Sequence, residues 1–77
     1  MSMKLDSRYI INKGVETSDG VLHEYIVSQT DNDITVLEGV WRIRKYIIPK
    51  SLITRFDGST VYLSIADKEL REKYQVK

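Results

Sequence analysis

Apolar and polar side chains alternate most cleanly between Thr60 and Ile65. Val61, Leu63 and Ile65 point one way, and Thr60, Tyr62 and Ser64 the other. That period of two predicts a strand with one buried face. Just before it, Asp57-Gly58 or Gly58-Ser59 closes a tight hairpin. Tyr46-Ile47-Ile48 reads as a strand ended by Pro49, which cannot donate to a ladder, and a short strand lies between Pro49 and the hairpin. Upstream, Arg8–Asn12 is short and β-branched and predicts a first strand. Thr17–Gly20 predicts a turn, with Gly20 free to take a positive φ. Val21–Gln29 predicts a strand with two mixed faces, Val21, Tyr25 and Val27 against Leu22 and Ile26, as a curved barrel strand or a dimer contact would have. Thr30–Asp33 predicts a second turn, and Ile34–Glu38 a strand with Ile34 and Val36 inward, followed by a bend or bulge at Gly39.

The segment from Val40 to Ile48 changes phase. Trp41 and Ile43 alternate with Arg42 and Arg44, but after Lys45 the apolar residues Tyr46 and Ile48 take the opposite parity. A bulge or short loop near Arg44–Lys45 produces such a slip. After Ile65 the pattern becomes helical. Residues 67–74 are mostly good helix formers, with Leu70 and Tyr74 one turn apart. Ser64 and Asp67 have capping-box spacing, or Asp67 is itself the N-cap. Two turns are not stable alone, so this helix must dock on the β-structure, on a second subunit or on a partner.

Length then bounds the answer. Seventy-seven residues make a single domain, 1–77, with a core over about 8–66 and a short helix over about 67–74. So short a chain buries only about 60–65% of its unfolded surface. There is no cysteine to staple it, which favours homodimer formation. No stretch has the length of a membrane span, and the N-terminal residues lack a signal-peptide apolar core, so a cytoplasmic location is expected. The net charge of +1 hides an asymmetry. Residues 1–40 carry three basic side chains against seven acidic ones, and residues 41–77 nine against four. Either the halves neutralise each other across the fold or the chain presents one basic face.

Val15 to Leu70 resembles the PRC-barrel-like family. The resemblance rests on Ser18-Asp19-Gly20, on the acidic turn Asp31-Asn32-Asp33 with Ile34–Val36, on Tyr46-Ile47-Ile48-Pro49-Lys50-Ser51 with Ile53, and on Asp57-Gly58-Ser59-Thr60-Val61-Tyr62-Leu63. A short polar helix at Asp67–Tyr74 also fits. The chain departs from the family at His23-Glu24, where a glycine usually allows a tight strand. The resemblance implies an all-β fold, a small, partly open antiparallel β-barrel of about six strands with a short C-terminal helix. It also implies a protein-binding or adaptor role without a catalytic set; similar stand-alone members look like cell-division adaptors. It carries no site residue across, because the matching positions are structural.

The residues themselves argue against chemistry. His23 is the only histidine and has no cysteine or second histidine to complete a metal site or a triad, so an ordinary surface or partly buried histidine is expected. Asp31-Asn32-Asp33 begins like a calcium loop but lacks its glycine and distal glutamate. The four glycines are scattered, and neither Ser51 nor Ser59 has a base nearby in sequence. No catalytic residue, cofactor, metal or small-molecule substrate is expected. What stands out is an interaction surface: Trp41, Tyr46 and Tyr62 as exposed or interface aromatics, with Arg42, Arg44 and Lys45 as a charged rim. Its expected partners are a second copy of the chain and another protein. The alternative is RNA or ribosome contact through the basic strand 41–46, where cations neutralise phosphates and aromatics stack on bases.

Overall fold

A computed structural model describes residues 10–77. Within them lie strands β1 (Gly14–Glu16), β2 (Leu22–His23), β3 (Ile26–Gln29), β4 (Asp33–Glu38), β5 (Arg44–Pro49), β6 (Ile53–Phe56), β7 (Thr60–Leu63) and β8 (Gln75–Val76), and one α-helix, α1 (Asp67–Tyr74). A 3-10 turn at Lys50–Leu52 joins β5 to β6. Of the first strand expected at Arg8–Asn12, Arg8 and Tyr9 lie outside the described residues. Ile10 is helical and Ile11-Asn12 forms a turn, with Asn12 at φ 68°, and among the described residues the first strand begins at Gly14.

The chain is mostly β, in two four-stranded sheets with orders β2-β1-β7-β6 and β3-β4-β5-β8. The strands do not close into a barrel: β2 and β6 end one sheet, and β3 and β8 end the other. The expected antiparallel pattern holds at every pairing but one. β1 and β7 run parallel, with Val15 opposite Val61. Parallel neighbours need a long crossover, and here β2 to β6, with β3, β4 and β5 of the second sheet among them, lie between the two strands.

The inward faces of β1, β7, β3, β4 and β5 build one core: Val15, Val61 and Leu63 from the first sheet, and Ile26, Ile34, Val36, Tyr46 and Ile48 from the second. Ile10, Ile65 and Leu70 complete it. Each such aliphatic side chain stabilises the fold by about 1.5–3 kcal/mol on full burial. The alternation read in Thr60–Ile65 and in Ile34–Val36 is the one observed. Val21–Gln29 is not one strand. It breaks at Glu24–Tyr25 into β2 and β3, which belong to different sheets. The expected pairing of Leu22 with Ile26 on one face therefore fails: Leu22 is exposed, and His23 and Ile26 are buried.

Helix α1 spans the residues predicted for it. It buries Leu70 completely and packs Tyr74 against the core. Its cap differs from both expectations. Ala66 occupies the N-cap position with no side-chain hydrogen bond, and the Asp67 N–H donates instead to Asp19 Oδ1 at 3.0 Å. After the helix, β8 adds to the edge of β5, with Val76 opposite Lys45. Among the described residues, no helix is long and apolar enough to cross a membrane.

Candidate functional site

The β4–β5 hairpin carries the residues singled out from the sequence, but in an arrangement that differs from a basic strand. The ladder ends at the pair Glu38–Arg44, so Gly39–Ile43 is a loop and the phase change is a hairpin turn rather than a bulge. Gly39 makes that turn possible. Its φ is +100°, and a Cβ there would clash with the Arg42 carbonyl oxygen. At the tip, Trp41 is 96% exposed and Val40 85%, with Ile43 and Arg42 also in solvent. A tryptophan in so small a domain usually fills a core or an interface; here the core is filled without it.

Tyr46 is the aromatic that the structure moves. Expected at the surface, it is fully buried, because β5 starts at Arg44 and sets Tyr46 and Ile48 inward. Among the described residues its hydroxyl has no partner within hydrogen-bond geometry, Glu38 being its neighbour. Burial, followed by the neighbouring Glu38, raises its pKa above the ordinary 10.0. Tyr62 lies on the outer side of the first sheet, so it does not join the Trp41 hairpin. The Arg55 guanidinium stacks 3.9 Å above its ring, and its hydroxyl donates to Asp57 Oδ2 at 2.8 Å. Arg42 and Lys45 are exposed, whereas Arg44 is held by Glu38, with Nε donating to Oε1 at 3.3 Å.

Below the hairpin, the outer face of the second sheet continues the apolar surface. Tyr25 and Leu37 exchange both backbone hydrogen bonds, at 2.7 and 3.1 Å, and so stand opposite each other. Leu37 pairs with Lys45, and Lys45 with Val76. One row across the sheet therefore reads Tyr25, Leu37, Lys45, Val76. Ile47, opposite Thr35, and Val27 extend it. Tyr25, Val27, Ile47 and Val76 are each 40% or more exposed. This face sets an apolar row around one cation, Lys45, with the polar pair Ser28 and Thr35 beside it.

Behind the hairpin lies a buried charge network that sequence reasoning missed. His23 is 1% exposed. Its Nδ1 lies 2.7 Å from Glu38 Oε1, and its Nε2 lies 2.5 Å from Asp67 Oδ1. Arg44 backs Glu38, and Arg71 Nε donates to Asp67 Oδ2 at 2.7 Å. Arg44, Glu38, His23, Asp67 and Arg71 thus form one chain of polar contacts through β5, β4, β2 and α1. Burial pushes both carboxyls up, but the His23 bonds, followed for Asp67 by Arg71, outweigh it and hold each below its ordinary value. The Tyr46 ring meets the imidazole edge-on at 5.1 Å. The two carboxylates sit at opposite ends of the ring and do not converge on one point; among the described residues no group of three ligands could hold a metal ion. One signal in the sequence bore on this: read as strand neighbours, His23 and Glu24 would face opposite ways; β2 ends at His23, which is buried, and Glu24 beyond it is exposed.

Comparison of the chain with protein-family models, curated proteins and solved structures gives no match.

Proposed function

We propose that this chain is a non-enzymatic protein-interaction module that forms a homodimer and docks a protein partner through the Trp41 hairpin and the outer face of the second sheet. The observation that carries the reading is Trp41, 96% exposed beside Val40 and Ile43 on a turn that Gly39 and the Glu38–Arg44 pair pre-shape. Large rigid aromatics presented on an ordered support are the usual anchors of protein interfaces. The apolar row Tyr25, Leu37, Val76 beside it offers the surrounding contact area. The resemblance to PRC-barrel-like proteins supports an adaptor role of the cell-division type.

RNA or ribosome contact is the second reading, favoured by Arg42 and Lys45 flanking an exposed Trp41. It has lost Arg44 to Glu38 and Tyr46 to the core.

Light scattering at micromolar concentration tests the first reading, with an expected mass of twice the 9.0 kDa chain. Trp41→Ala is expected to shift it toward the monomer. A wild-type monomer that captures no protein from the native lysate overturns the reading. A gel shift with RNA at low salt, lost steeply as salt rises and abolished by Arg42→Ala with Lys45→Ala, would establish the second in its place.

A further inference from the structure

The buried network and the exposed hairpin share a residue. Glu38 closes the base of the Gly39–Ile43 loop through its ladder pair with Arg44, and the same carboxylate oxygen that meets Arg44 also meets His23. A carboxylate accepts and does not donate, and a neutral imidazole has hydrogen on only one nitrogen. His23 therefore bonds Glu38 and Asp67 together only when both ring nitrogens carry hydrogen. Once one proton leaves, a lone pair faces a buried carboxylate, and that contact turns from attraction to repulsion.

The two arms of the network are unequal. Asp67 is held independently of His23 by Arg71 at 2.7 Å, and its own backbone N–H is tied to Asp19. Glu38 has Arg44 at 3.3 Å, and its contact with His23 is the longer of the two, 2.7 Å against 2.5 Å. The weaker arm is the one at the hairpin. The groups that face the imidazole are Glu38 from β4, Arg44 and Tyr46 from β5, Asp67 and Arg71 from α1, and Asp19 from the turn before β2. The two arginines pair with the carboxylates rather than with the ring.

We propose that His23 is a proton-operated clamp on the Trp41 hairpin: with both ring nitrogens protonated it fixes Glu38 at the hairpin's base, and loss of the Nδ1 proton frees that base and weakens docking as pH rises. Its effect on docking rests on the reading of the hairpin as the contact element. Its effect on the loop does not.

His23 is the only histidine and Trp41 the only tryptophan, so residue type alone assigns both signals in a nitrogen-15 NMR titration of the full chain. The expected result is that His23 passes from doubly protonated to the Nε2–H tautomer. The Trp41 indole and the Gly39–Arg44 amides should move with the same midpoint. Above that midpoint the Arg44 amide should exchange about tenfold faster, after correction for intrinsic base catalysis, as expected for one lost charged hydrogen bond. Glu38→Gln should uncouple Trp41 from His23; if that variant does not fold, the wild-type titration decides alone. A neutral Nδ1–H tautomer, a His23 that does not titrate while the chain stays folded, or a Trp41 loop that ignores the His23 midpoint each overturns the clamp. Light scattering on the same samples reports dimer formation separately. A loop that responds in a chain that stays monomeric keeps the clamp and sinks the docking reading.

Discussion

Asp19 Oδ1 accepts the backbone N–H of Asp67 at 3.0 Å, so a turn residue caps a helix that begins 48 positions further along the chain. The same oxygen accepts the Thr17 hydroxyl. These bonds, Thr17 first, hold the Asp19 carboxyl below its ordinary 3.8. Asp19→Ala is expected to lower the thermal midpoint and to loosen α1 before the sheets, read as early loss of helical circular dichroism. Asp19→Asn, which keeps the acceptor, should restore most of the loss. An unchanged midpoint in Asp19→Ala would mean that the helix relies on Leu70 alone.

Gly39→Ala tests the hairpin turn. A Cβ at φ +100° is strained by about 1–2 kcal/mol even in open space, and here it also meets the Arg42 carbonyl. The urea midpoint should fall by the equivalent of more than about 1 kcal/mol, with an unchanged slope. Gly20, which has nothing within 4 Å of its would-be Cβ, is the matched control for positive φ without the clash.

Much of this architecture is legible in the chain because it is local. Val61, Leu63 and Ile65 alternate, Ile34 and Val36 alternate, and Asp67–Tyr74 is a run of helix formers; each stands as read. Non-local features were not legible. Nothing in the spacing shows that β1 returns to pair with β7, or that two residues of β8 follow the helix onto β5. Trp41 is exposed, as read, but on the Gly39–Ile43 loop rather than on a strand; Tyr46 is the aromatic that misled, because a strand beginning at Arg44 sets Tyr46 and Ile48 on the buried face. The His23 network was out of reach for the same reason as the Asp19 cap: its members lie 15 and 44 positions apart, and only the packed sheets bring them together.

Tyr46 separates packing from hydrogen bonding. Its ring fills the core beside His23, while its buried hydroxyl has no partner among the described residues. An unpaired buried hydroxyl opposes folding. Tyr46→Phe is therefore expected to change stability by less than about 1 kcal/mol or to raise it. Tyr46→Ala should cost about 3–5 kcal/mol through the cavity it leaves. Denaturant melts of the two variants check this; a large loss in Tyr46→Phe would assign the hydroxyl a bond to Glu38.

Trp41→Ala is expected to leave stability within about 0.5 kcal/mol of wild type, as for a surface substitution away from caps and core, while lowering self-association. A buried tryptophan would cost about 3–5 kcal/mol instead. Measuring the melt and the scattering mass on one preparation separates the two roles. A variant that unfolds would place Trp41 in the folding core of an obligate dimer.

Acid should act on the same buried carboxylates from the other side. Burial alone would raise Glu38 and Asp67, but the His23 bonds and Arg71 hold both below their ordinary 4.5 and 3.8. The folded chain therefore binds fewer protons there than the unfolded one. The resulting stabilisation is complete above those ordinary values and is lost as pH falls through the lower, folded ones. Exposed Asp57, held down first by the N–H groups of Ser59 and Thr60, adds to the same slope. Urea midpoints taken down the acid range should fall steeply in wild type. They should fall less steeply in Glu38→Gln with Asp67→Asn, and Asp57→Asn should remove a separate share. An acid slope identical in wild type and the Glu38→Gln, Asp67→Asn double variant would show that the His23 network carries none of it.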